Sequence, residues 1–315
     1  MPFVRRTLFS PFLACAVLVA LGLSACRSPA LGGAGGATPP ALSGVPPSGT
    51  TIAVVAAENF YGDIVEQLGA GDVSVVSILS DPNIDPHEYE SSVQSGVAVS
   101  RAQLVVENGG DYDTWMDKLL SASPNPNRVV LVAASVANHQ LPDNPHFWYG
   151  VDNIHAIAQA ITGALEKIDP SHRLAYEAAL VVFRQSLAPI QQKINELNVK
   201  YAGTPVGLTE TIFLYQSEPI GLKVLTPFEF EKAIAEGNDP PADTVVTSDD
   251  QITNHEVKVL IYNVQTVTPV TTNLQQEASR LKIPVVPVSE TMPPGKNYQS
   301  WMLDQLNALG QALGG

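Results

Sequence analysis

What most limits the fold of this chain is a set of short β-branched apolar runs, each followed by a stretch with helical spacing. The runs are TIAVVAA (51–57), VSVVSIL (73–79), QLVVENGG (103–110) and VVLVAAS (129–135). They are largely apolar at consecutive positions instead of alternating, so both faces need cover, which is the habit of strands in a parallel sheet. NFYGDIVEQLGAG, SSVQSGVAVSRA and WMDKLLSA lie between them and read as helices. From Val151 to Tyr201 only helical periodicity is present, and Asp169-Pro170-Ser171 marks a new helix start. One helix is therefore predicted from about His172 to Tyr201, about 45 Å long at 1.5 Å per residue. The alternation then resumes with PVGLTE, GLKVLTP, VKVLIYNV and IPVVPVS as strands, and FEFEKAIAEG, TPVTTNLQQEASRL and SWMLDQLNALGQAL as helices. The expected fold class is α/β. It has two lobes, each a mostly parallel sheet flanked by helices, joined by one long rigid backbone helix. The lobes take residues 51–170 and 202–315, and the connecting helix takes 171–201.

Ahead of the lobes the chain reads as an export signal. Arg5 and Arg6 precede the apolar run TLFSPFLACAVLVALGL, which Pro11 interrupts and small residues follow. The run ends in Leu23-Ser24-Ala25-Cys26, similar to the bacterial lipobox, so residues 1–25 are expected to be removed and Cys26 to carry lipid. Residues 26–50, rich in Gly, Pro, Ser and Ala, form a tether that buries too little apolar surface to fold. The expected location is the bacterial cell membrane, lipid-anchored and facing the extracytoplasmic side. Cys15 is lost with the signal, so the mature protein has no second cysteine for a disulfide or a thiolate metal site.

Seventeen Lys and Arg stand against 31 Asp and Glu, a formal net charge of -14. A nucleic-acid partner needs clustered basic residues, and this balance argues against one. An acidic surface agrees with attraction of cations.

Open α/β sheets bind ligands beyond the carboxyl ends of their strands. Metal-capable side chains follow four of the predicted strands. His87 lies in DPNIDPHEYE (81–90), where two X-Pro steps hold the loop extended. His146 lies in LPDNPHFWYG, Glu210 ends PVGLTE, and Glu290 ends IPVVPVSE before the stiff TMPPG. Each has a plainer reading, as a surface loop residue or, for Glu210, as the cap of the helix that begins TIFLY. His139, His155, His172 and His255 fall in helices or connectors away from these strand ends.

Together the four motifs resemble the metal-binding lipoprotein receptors of bacterial ABC transporters for zinc and manganese. DPHEYE is similar to the first ligand motif of that family and NPHFW to its second. TETIFLY resembles the third, with Phe213 and Tyr215 at the family's aromatic positions, and SETMPPGKNYQSWM resembles the last. The resemblance spans residues 51–313 and implies a receptor, not an enzyme. It would bind a divalent ion, Zn2+ or Mn2+, through His87, His146, Glu210 and Glu290. Acting as a monomer, it would deliver that ion to a membrane permease. There are departures. Residues 121–145 hold only His139 where zinc-specific members carry a His-rich loop. Asn263 stands where many members have an acidic residue, and Glu290 where Asp is commoner. Glu210 in place of His is the variant of manganese- and iron-type members, and with the missing loop it inclines the reading to manganese.

Three other readings compete. A metal-dependent hydrolase would keep a coordination position open for water, and no HExxH pattern occurs. A receptor for an organic solute would stack its ligand on Phe147, Trp148 or Tyr215. Surface adhesion would be a secondary role.

Overall fold

The structure, a computed structural model, describes residues 51–84, 86, 89 and 91–314. The export signal, Cys26, the tether and His87 lie outside the described residues. In the first half, strands β1 (Ile52–Glu58), β2 (Val73–Leu79), β3 (Leu104–Glu107) and β4 (Val129–Val132) form a parallel sheet of order β2-β1-β3-β4. Helices α1 (Asn59–Leu68), α2 (Val93–Arg101) and α3 (Trp115–Ala122) make the crossovers. The central β1 and β3 are buried almost throughout, whereas the edge strand β2 alternates between shielded and exposed residues.

The second half repeats the plan. Strands β5 (Pro205–Leu208), β6 (Lys223–Val224), β7 (Leu260–Asn263) and β8 (Val285–Val288) form a parallel sheet of order β6-β5-β7-β8, which is the same topology. The remaining helices of this half are α7 (Leu214–Ile220), α8 (Phe228–Ala235), α9 (Ala242–Thr253), α10 (Pro269–Arg280) and α11 (Tyr298–Ala312). Strand order reverses between β1 and β3 and again between β5 and β7, and a crevice opens at such switch points beyond the strands' carboxyl ends.

Between the sheets run α4 (Val151–Ile168), α5 (Arg173–Ser186) and α6 (Ala188–Tyr201). Helical structure thus covers the connector as predicted, with an interruption at Leu187 in place of one continuous helix. Pro189 is the reason: it has no N–H to give to Gln185, one turn back. Leu187 stays near helical angles (φ -80, ψ -15), so the break is a hydrogen-bond defect and not a reversal of the chain. α5 packs on α1 and α4 of the first half, and α6 packs on α7 and α11 of the second.

The apolar interior does not divide with the sheets. One hydrophobic cluster takes Val54, Phe60, Leu104 and Trp148 from the first half, and Leu208, Ile261 and Trp301 from the second. Phe60 stacks on Trp148 with ring centroids 4.5 Å apart and lies 5.9 Å from Trp301. α11 crosses to the first half, where the Tyr298 N–H donates to Asp63 Oδ2 at 2.8 Å. A smaller cluster lies under α2 and α3 and another under α8 to α10.

Candidate metal centre

The residues after β4 rise to the switch point as Asn144-Pro145-His146. Asn144 decides how the imidazole sits. Its Nδ2 donates to the Thr211 carbonyl at 2.8 Å, which leaves Oδ1 to accept from His146 Nδ1 at 2.9 Å. That bond fixes the proton on Nδ1 and turns Nε2, as a lone pair, toward two carboxylates. Nε2 lies 3.9 Å from Glu210 Oε2 and 3.8 Å from Glu290 Oε2.

Glu210 follows β5 and divides its labour. Oε1 accepts the Ile212 N–H at 3.0 Å, capping a short 3-10 turn (Thr211–Phe213), while Oε2 faces His146. One oxygen of Glu210 thus caps a turn, and the other remains turned toward the imidazole. Glu290 follows β8, and donors reach it from three directions. Asn263 Nδ2 (2.7 Å) and Thr266 Oγ1 (3.0 Å) donate to Oε1, and the Tyr112 hydroxyl donates to Oε2 at 2.8 Å. Asn263 thus serves as a neutral donor to the carboxylate where an acid would repel it. Tyr112 is carried there by the turn after β3, in which Gly109, Gly110 and Asp111 all have positive φ (69, 64 and 66). A Cβ on Gly110 would meet the Phe147 ring at 3.1 Å, so the turn lies close on its neighbour.

Ligand atoms of His146, Glu210 and Glu290 lie within 4.8 Å of one another, and all three residues are buried. Nitrogen and carboxylate oxygen donors of this kind suit a borderline or hard divalent cation. Two carboxylates beside a neutral imidazole also match its charge, which a dry interior requires. The fourth predicted residue, His87, lies outside the described residues. Nearby in the sequence, the Ile84 carbonyl accepts from Gln265, and Tyr89 packs edge-on against Trp115 with ring centroids 4.7 Å apart. The other histidines stay apart from the centre: His139 pairs with Glu218 and His172 with Asp169. A cleft of about 570 Å³ opens beside the centre, walled off from it by Tyr112 and Asn144.

The family model for the zinc-uptake complex component A, periplasmic (ZnuA), matches residues 54–312. The chain belongs to the ZnuA family. Among curated relatives of this ZnuA-family chain, the manganese ABC transporter substrate-binding lipoprotein scaA of Streptococcus gordonii is 25% identical over 198 residues, 59% of this chain and 60% of that protein. The iron-binding protein YfeA of Yersinia pestis is 25% identical over 181 residues, covering 54% and 57%. These matches span about three-fifths of the relatives' length. Among solved structures, the periplasmic zinc binding protein TroA from Treponema pallidum superposes with a TM-score of 0.72 at 16% identity, covering 84% of this chain and 99% of that one. FpvC from Pseudomonas aeruginosa, solved in complex with Mn2+, gives 0.69 at 18% identity, covering 84% and 98%. These likenesses establish the two-lobed fold.

The ZnuA-family chain also buries acids behind this centre. Glu58 and Glu107 end β1 and β3, and Asp113 accepts the Asn108 and Gly109 N–H groups at 2.7 Å each. Burial raises the Glu58 carboxyl well above its usual range, and Asp113 and Glu107 add to the effect. Glu107 is pushed up to about 7, by burial first and then by Asp113 and Asp117. Folded Glu107 therefore keeps its proton to a higher pH than in the unfolded chain, where it titrates near 4.5. The folded state binds more protons in that window, so stability falls as pH rises from 4.5 to about 7 and the loss is complete above it. Glu107→Gln should accordingly melt higher than wild type at pH 8 and together with it at pH 4. Equal increments at both pH values would count against this account.

Proposed function

We propose that this protein is an extracytoplasmic receptor for a divalent transition-metal ion, Zn2+ or Mn2+. It holds the ion between its lobes as cargo and passes it to the permease of an ABC transporter. His146, Glu210 and Glu290 are its ligands, with His87 completing the set. The observation that carries the reading is the convergence of one oriented imidazole and two buried carboxylates, from loops after β4, β5 and β8, on a single point. The names of its relatives, which speak of manganese, iron and zinc, support the same class of cargo.

The protein's part is binding and release, with no bond made or broken. Glu290 accepts hydrogen bonds on both oxygens, which suits a fixed ligand better than a general base. Cargo identity follows from supply as well as from donors, since almost any such site prefers Zn2+ to Mn2+. The two carboxylates incline it to manganese. Lipid on Cys26 and the tether of residues 26–50 would keep the monomeric receptor close to its permease.

Equilibrium dialysis with metal analysis tests the reading: one Zn2+ or Mn2+ per chain is expected, and no uptake of either ion would overturn it. Protein from the native host should carry its metal in the membrane fraction, and Cys26→Ser should move it to the soluble fraction.

A further inference from the structure

Gln265 stands in the turn after β7, largely shielded at 7% exposure, and its side chain joins several segments near the centre. Its Oε1 accepts the Glu290 N–H at 2.7 Å, the Thr291 N–H at 2.9 Å and the Thr291 hydroxyl at 3.2 Å. Its Nε2 donates to the Ile84 carbonyl at 2.9 Å. Backbone N–H groups only donate and a carbonyl only accepts, so these partners leave one orientation for the amide. The mount is fixed as well, because the Gln265 N–H donates to Asn263 Oδ1 at 3.0 Å while Asn263 Nδ2 holds Glu290.

We infer that Gln265 is a positioning residue that ties the loop after β2 to the loop after β8, so that the two ligand-bearing loops of opposite lobes move as one. The inference rests on the metal reading above. Glu290 and Thr291 belong to the second half of the chain and Ile84 to the first, 181 residues from Gln265. One planar amide spans both. Its oxygen sets the backbone from which the Glu290 carboxylate projects, and its nitrogen holds the residue that leads into DPHEYE. A glutamine is well matched to this duty, since it is uncharged and offers an acceptor and a donor from one rigid plane. A shift of Ile84 away from the Glu290 backbone would break this link, and the amide opposes it. Its side-chain hydrogen bonds go to the Glu290 N–H, to Thr291 and to the Ile84 carbonyl, and it acts through them.

Two isosteric variants of the full chain separate the arms. Gln265→Glu keeps an oxygen for Glu290 and Thr291 but sets a second oxygen against the Ile84 carbonyl. Gln265→Met removes both arms. Amide hydrogen exchange of the metal-free proteins reads the bonds directly: Glu290 and Thr291 should exchange faster in Gln265→Met and at the wild-type rate in Gln265→Glu. Release of Mn2+ or Zn2+ to a chelator should be about tenfold faster in both, the scale expected when a group supporting a ligand is lost. Metal-free melting of Gln265→Glu should remain within a few degrees of wild type, which a purely structural role would not allow. Release from Gln265→Glu at the wild-type rate would overturn the inference, because the Ile84 arm would then carry nothing. Failure of the wild-type chain to bind either ion would overturn the metal reading instead, and dialysis shows that before any variant is made.

Discussion

Glu290→Ala should weaken Zn2+ or Mn2+ binding by about a hundredfold or more, the largest functional effect expected of any single substitution here. Loss of a group that merely supports a ligand costs about ten- to a hundredfold, and Glu290 is proposed as a ligand itself. Two costs combine in this variant. The centre keeps one carboxylate against a divalent charge, and the donors on Tyr112, Asn263 and Thr266 lose the acceptor they share. Calorimetric titration gives the affinity, and the rise in melting temperature on adding metal gives it independently, because a ligand of the folded state alone stabilises that state. His255→Ala, in an exposed turn after α9, is the control and should bind as wild type. A His255→Ala defect as large as that of Glu290→Ala would mean the centre is misplaced.

The largest effect on stability is expected from Trp148→Ala. Trp148 is fully buried, stacks on Phe60, and has its centroid 4.9 Å from Tyr112 and 5.1 Å from His146. Removing a buried indole costs about 3–5 kcal/mol, of which the unfilled cavity is a part. In a chain of this size that lowers the melting temperature by on the order of 10 °C. The cluster it supports belongs to both sheets, so wild type and variant should each unfold in one denaturant transition. Two separated transitions in the wild type would show that the lobes are independently stable. The same shared core argues for little hinge movement on metal binding, and scattering curves with and without metal should nearly superpose.

Much of this architecture is legible in the residues themselves. The strand runs announce parallel strands because buried strands need apolar side chains on both faces, and β2 occupies the predicted residues 73–79. His146, Glu210 and Glu290, which converge in the fold, are singled out by one rule, that metal-capable side chains just after strands point to a site. Other features depend on information that sequence spacing does not hold. α9 (ADTVVTSDDQIT) buries Ser248, Gln251 and Ile252, a face too polar to register as helical periodicity. β6 is two residues long where a seven-residue run was expected, since it pairs only with Pro205 and Val206 at the sheet edge. Pro189 was in plain view, yet an interruption that leaves Leu187 helical is a matter of hydrogen bonds and not of pattern. Tyr112, Thr266 and Gln265 reach the centre from far along the chain, and only folding reveals whom a tyrosine or a glutamine will meet.

The fifteen residues of α11 lie at the end of the sequence, yet some of their partners lie near its beginning. Tyr298 meets Asp63, Gln299 meets Gln67, and Trp301 joins Phe60. Just before the helix, Asn59 exchanges two hydrogen bonds with the Met292 backbone. For a chain that emerges amino end first, the early half is left with an unfinished interior until α11 has been made. Contacts of such long range are slow to form, and nothing local can substitute for them. The first half therefore cannot complete its own interior, however early it is made, because Asp63, Gln67 and Phe60 wait for partners that lie more than two hundred residues away.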